Sequence, residues 1–228
     1  MDRETKLALA LEPRNPYVIA TAAIVSEVFF RLDEAIRYEN EAMALDPLEP
    51  AFQVQVAAMF IQAQRYDDAE AAYRKAIELA PAHKGARNGL GLLYLIRGRP
   101  QAALAQFDPN HIDALAMVYH ALGRHADSDR MLAQVIAEVS DDAPGAIARI
   151  YAFRGEPDAA LTWLERAYRQ KDDYLLGIRG DPIIEKALGR DPRFQELIRK
   201  INFRNTDSRM YRWSPSAAAA SQWNSGIH

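Results

Sequence analysis

The sequence predicts an all-α solenoid of paired helices, closed at its C-terminal end by short capping helices. Three observations carry this expectation. Identical residues recur 34 positions apart in one register: Pro13, Pro47 and Pro81; Ala8, Ala42 and Ala76; Leu11, Leu45 and Leu79; Arg31, Arg65 and Arg99; Ala35, Ala69 and Ala103. A second series, Tyr94, Tyr119 and Tyr151 with Gly98, Gly123 and Gly155, repeats at steps of 25 and then 32 residues. Finally, apolar segments nearly free of charge alternate with amphipathic ones, as paired inner and outer helices require. A fixed period of this size marks a stack of units, each burying its apolar face on its neighbours.

The clearest unit runs from Pro50 to Pro81. Its second helix is expected from Asp67 to about Ala80. Asp67 and Asp68 suit a helix N-terminus, where the dipole favours negative charge. Glu70 can pair with Arg74 one turn on. Ala69, Ala72, Tyr73 and Ala76 form the apolar stripe, and Pro81 ends the helix. The small alanines let neighbouring helices approach closely. The first helices differ in kind: Tyr17 to Phe30 carries one charge, Glu27, and Ala51 to Gln64 carries none. Segments apolar nearly all round are expected inside, with the charged second helices forming the outer wall.

With Val56-Ala57, Phe60, Ala69, Tyr73, Ala76 and Pro81 at their spacings, the chain resembles the tetratricopeptide repeat family over roughly residues 1–170. Leu90-Gly91 and Tyr94 match the next unit fully, while Gln53 stands where the family has tryptophan. The resemblance implies a right-handed superhelix with helix pairs over about 16–49, 50–83, 84–108, 109–140 and 141–173. A half repeat, 1–13, would precede them and an end cap, 174–204, would follow. The half repeat fits a fragment of a longer chain or a short capping helix equally. The unit from Lys84 to Asp108 is only 25 residues long, so its outer helix should be cut short and the wall notched. Asp181-Pro182 and Asp191-Pro192 each read as a cap and first turn of a short helix. From about Asn205 the composition shifts to Ser, Ala, Asn and Gly, and residues 205–228 are expected to be a disordered tail.

Composition narrows the chemistry. The chain has 228 residues, 49% of them apolar, and no cysteine, which removes disulfides, thiolate metal sites and a cysteine nucleophile. The charged N-terminus and the lack of a long uncharged stretch lead to an expectation of a soluble cytoplasmic protein without a membrane span. Net charge is −3, divided as −8 over residues 1–165 and +5 over 166–228. The five histidines, His83, His111, His120, His125 and His228, show no metal-ligand spacing, and His120 and His125 are expected on different sides of a helix. Gly89-Leu90-Gly91 lacks the third glycine and the preceding strand of a nucleotide loop, and close helix packing explains Gly91. No catalytic, cofactor or metal residues are therefore expected. Arg204, Arg209, Tyr211, Arg212 and Trp213 are too loose a set to point to nucleic acid.

The resemblance implies a concave groove lined by the first helices, which in this family holds a peptide. By register that groove comprises Tyr17, Ile24, Val28, Val54, Ala58, Ile61, Asn88, Leu92, Leu95, Met117, His120, Arg149 and Phe153. The set is mainly apolar, so the expected partner is a protein or peptide with apolar anchors, Leu92 and Met117 lying near the middle of the surface. The alternative is that these residues only seal the inner helices. The segment Ala160–Tyr168 followed by Asp191–Phe194 also resembles the C-terminal end of repeat regions in bacterial multidomain regulators. In those, a nucleotidyl cyclase, a winged-helix domain or a protein kinase precedes the repeats. The second functional expectation is thus the regulatory portion of such a protein, whose effector domain is not in this chain.

Overall fold

The structure, a computed structural model, describes residues 3–205, so the tail expected beyond Asn205 lies outside the described residues. Helices α1 to α5 span Arg3–Leu11, Pro16–Val28, Leu32–Leu45, Pro50–Gln62 and Tyr66–Leu79. Helices α6 to α11 span Lys84–Ile96, Pro100–Leu104, Ile112–Ala121, His125–Val139, Pro144–Phe153 and Pro157–Gln170. Two 3-10 turns, Asp173–Leu176 and Ile178–Gly180, lead to α12 (Pro182–Leu188) and α13 (Pro192–Asn205). No strand occurs among the described residues.

Proline and capping residues set the helix starts. Asn15 Oδ1 accepts from the amides of Tyr17 and Val18, Glu49 accepts from Ala51, and His83 Nδ1 accepts from Ala86. Each satisfies an amide that has no partner within the helix.

The turn inside each pair explains two of the repeated marks. One residue adopts a left-handed conformation: Phe30 (φ 57°), Gln64 (58°), Gly98 (68°), Gly123 (73°) and Gly155 (77°). The amide of the next residue then bonds back to the carbonyl five positions earlier, as Arg65 does to Phe60 and Arg99 to Tyr94. That arginine lays its guanidinium over the same residue's ring, at 4.3 Å for Arg65 on Phe60, 4.4 Å for Arg99 on Tyr94 and 4.2 Å for Arg124 on Tyr119. The arginine, aromatic and glycine spacings are therefore one local device, a left-handed turn clamped by a cation–π contact.

The first helices α4, α6, α8 and α10 touch in succession, and each second helix packs chiefly on the first helix of its own pair. Ala23, Ala35, Ala57, Ala69, Ala76, Ala148 and Ala160 are fully buried where helices approach. Helix α7 has only 5 residues, and the chain after it returns the ring of Phe107 onto Gly91. One aromatic side chain thus fills space that a longer outer helix would have covered. Ile183, Ile184, Leu188, Phe194, Leu197, Ile198 and Ile201 of the two terminal helices join the main core.

Candidate functional site

The inner face carries the residues singled out by register, and the structure sorts them into three groups. Ile61, Leu95 and Met117 are buried, with exposures of 6%, 4% and 1%. They seal inner helices against one another, so Met117 is not the accessible centre that register suggested. Val54, Leu92 and Phe153 are half-buried against the core, and Ile24, Ala58 and Asn88 are also half-buried. Tyr17 and Val28 are exposed. Register locates a residue on the inner side of its own helix. It does not report how tightly the next helix closes over it.

The remaining two polar groups have partners that register did not foresee. Arg149 Nε lies 2.8 Å from Asp181 Oδ2, as a charge contact without an aligned N–H. Burial works against the guanidinium charge, but Asp181, Tyr174 and Asp113 outweigh it and raise the Arg149 pKa. Asp181 also caps α12 by accepting from the amides of Ile183 and Ile184, and it accepts from the hydroxyl of Tyr174 at 2.8 Å. Burial, then Asp181, pushes the Tyr174 phenol well above its usual pKa. His120 packs edge-on against Phe153, and its ring stands 5.1 Å from that of His125. The turn at Gly123 folds α9 back on α8, which brings together two histidines expected on different sides of one helix. Burial first, then Arg154 and His125, lowers the His120 pKa.

The two 3-10 turns pack on α10, α11 and α12. Asp172 Oδ2 accepts from the amide of Gly145 at 2.7 Å, at the start of α10. A Cβ on Gly145 would lie 2.7 Å from Tyr174 Cβ, so the aromatic residue rests directly on the α10 backbone. At the far end, a Cβ on Gly180 would lie 2.7 Å from Gln62 Cγ, at the last residue of α4. The segment between is buried at Leu175, Ile178 and Gly180. The segment therefore links the start of α10 to the end of α4.

Past Gln62 the inner face changes character. Gln62 Nε2 donates to Glu27 of α2. Behind it Glu39 of α3 is fully buried, with neither carboxylate oxygen hydrogen-bonded. Glu39 stands 34 residues before Tyr73, at the position where the next unit places a core aromatic. Burial, then the charge of Glu27, pushes its pKa up to about 8. Burial also raises that of Glu27.

Family models described as tetratricopeptide repeat match residues 60–108 in one case, and residues 114–134 and 148–166 in another. The chain carries tetratricopeptide repeats over these residues. Among solved structures, a tetratricopeptide repeat protein from Parabacteroides merdae matches at 17% identity and a TM-score of 0.57, over 86% of this chain and 88% of that one. PilW, described as a widely conserved type IV pilus biogenesis factor, matches at 19% identity and a TM-score of 0.54, over 85% of this chain and 94% of that one. At these identities the tetratricopeptide repeat neighbours share the fold. No curated protein matches the chain. No helix among the described residues is long and apolar enough to cross a membrane.

Proposed function

We propose that this chain is a protein-interaction module that engages an apolar segment of a partner through its N-terminal units. One observation carries the reading. Every large apolar side chain left exposed among the described residues lies between Leu7 and Leu48. Val28, Phe29 and Phe30 are 39%, 49% and 44% exposed at the end of α2, where the neighbouring unit has Gln62, Ala63 and Gln64. A run of exposed apolar residues on a repeat protein is a docking signal, because such residues gain nothing in water. Phe30 adds to this. It occupies the left-handed position that the last three units give to glycine, so an aromatic residue is kept there at a backbone cost.

Of the residues placed on the groove by register, Tyr17 and Val28 belong to this surface. Partner anchors would be apolar, inserted at helical or extended spacing. A clamp for acidic peptide tails needs several charge-assisted hydrogen bonds. The inner face offers Asn88, His120 and Arg149, and Arg149 is engaged by Asp181. The cysteine-free composition suits a reducing cytoplasm.

A second reading draws on α1. That helix is of the outer type, packs on α2 and leaves Leu7 and Leu11 exposed. The exposed face would then meet an effector domain of a larger signalling protein, such as a nucleotidyl cyclase, a winged-helix domain or a kinase.

Photo-crosslinking residues placed at Tyr17 and Val28, with Arg130 on the outer wall as control, test the proposal in the producing cell. A partner joined through the first two sites and not the third, and lost from the Tyr17 site on Val28→Glu, is the expected result. Equal labelling from all three sites would overturn it.

A further inference from the structure

We infer that Tyr174–Asp181 occupies the ligand position of the C-terminal half of the concave face, so that a peptide of matching chemistry enters there only by displacing it. The inference deepens the interaction-module reading and rests on it. The segment behaves as a bound peptide would. It crosses from α10 to the end of α4 and puts Leu175 and Ile178 into the core at exposures of 7% and 1%. It lays Tyr174 on the bare backbone of Gly145 and ends with a carboxylate on Arg149. Asp173, Gly177 and Arg179 stay exposed. An aromatic residue, two apolar residues and an acid at positions 174, 175, 178 and 181 are spaced as on one face of a helical turn.

The segment is also built to leave. It consists of two short 3-10 turns, whose hydrogen bonds are weaker than those of an α-helix. Lys171, at φ 60°, ends α11 in a left-handed conformation and separates the segment from the helix before it. On the other side the α12 cap separates it from a helix with its own core contacts, Ile183, Ile184 and Leu188. Hydrogen bonds weaker than those of the flanking helices favour local opening, against the burial of Leu175 and Ile178. The ligand class follows from the contacts: a short peptide with an aromatic–apolar pair, a second apolar residue about one turn later and an acid about one turn after that.

The test uses the full chain and two readouts. Gly180→Val places a side chain against Gln62 and should lift the segment. Asp181→Asn keeps the helix cap but removes the charge facing Arg149, and serves if the valine variant does not fold. By hydrogen–deuterium exchange, the amides of residues 174–181 should exchange at least tenfold faster in either variant, with α10 and α11 unchanged. A fluorescent synthetic peptide copying residues 173–182 should bind the variants at least tenfold more tightly than the unaltered chain. The same peptide with asparagine in place of its aspartate at 181 should bind more weakly.

If residues 174–181 exchange only together with α10 and α11 in every protein, the segment is permanent core and the inference fails. The N-terminal docking surface, read by crosslinking at Tyr17 and Val28, would be untouched by that result. If the segment opens and the peptide is still not taken up, the inferred ligand class is wrong.

Discussion

Replacing Glu39 with leucine should stabilise the protein most at alkaline pH and abolish a specific pH dependence. Unfolded, this carboxyl has its ordinary pKa of 4.5; folded, burial and then Glu27 hold it at about 8. A folded-state pKa above the unfolded one means that the folded chain binds the proton more tightly. Its stability is therefore complete below about pH 4.5, falls as the pH rises toward 8, and is level above that. At about 1.4 kcal/mol per pH unit the full loss is on the order of 5 kcal/mol, and about 3 kcal/mol of it is present at pH 7. Glu27 is raised as well and acts on Glu39, so the titration belongs to the pair. Glu39→Leu removes the buried, unpartnered oxygens and leaves an apolar side chain at the position Tyr73 holds in the next unit. Urea denaturation of both proteins between pH 5 and pH 9 is the assay. The unaltered protein should lose stability relative to the variant across that range, with the loss levelling off above about pH 8. Parallel curves for the two proteins would show that Glu39 is hydrated or paired, and the account of the first unit would fall.

Other expectations are read in simpler assays. Leu92→Glu puts a charge against the core from a half-buried site and should cost on the order of 2 kcal/mol in a melt; an unchanged melt would place Leu92 on an open groove. Phe30→Gly removes an aromatic residue from a left-handed position, so the melting temperature should hold or rise while crosslinking to a partner at Val28 weakens. Ending the chain at Asn205 should leave the melt unchanged, and ending it before Asp181 should lower it sharply by stripping Ile183, Ile184, Leu188 and Phe194 from the core.

The repeat was legible because it is written in local devices. Arg, Gly and the aromatic residues recur where a turn must be left-handed and clamped, Pro recurs just after the second helices, and each acts on neighbours within a few residues. The buried alanines Ala35, Ala69 and Ala103, and Ala42 and Ala76, were legible for a related reason, since one 34-residue spacing connects them. The inner face was legible only in part. Tyr17 and Val28, chosen by register, are exposed, yet register gave the same standing to Met117, which the neighbouring helices enclose. Arg149 read as a groove cation because nothing near it in sequence pairs with it. Its partner, Asp181, is 32 residues away in a segment that breaks the repeat, and no periodicity reaches such a contact. Glu39 could have been found by aligning the units, since it falls on the position of Tyr73, although its lack of partners needs coordinates. The glycines at 145 and 180 carried a signal too, as sites where another part of the chain comes close, but not the identity of what comes close.

The segment from Tyr174 to Gly180 links the start of α10 to Gln62 at the end of α4, and disulfide trapping reads that contact. The chain has no cysteine, so Gln62→Cys with Gly180→Cys introduces the only two thiols. Side chains this close fall within the short Cβ separation a disulfide needs, about 3.5–4.5 Å. Mild oxidation of the folded double variant should give a nearly complete intramolecular disulfide, with helicity retained and the melt raised. A folded double variant that keeps both thiols free, and links them only after denaturation, would contradict the account.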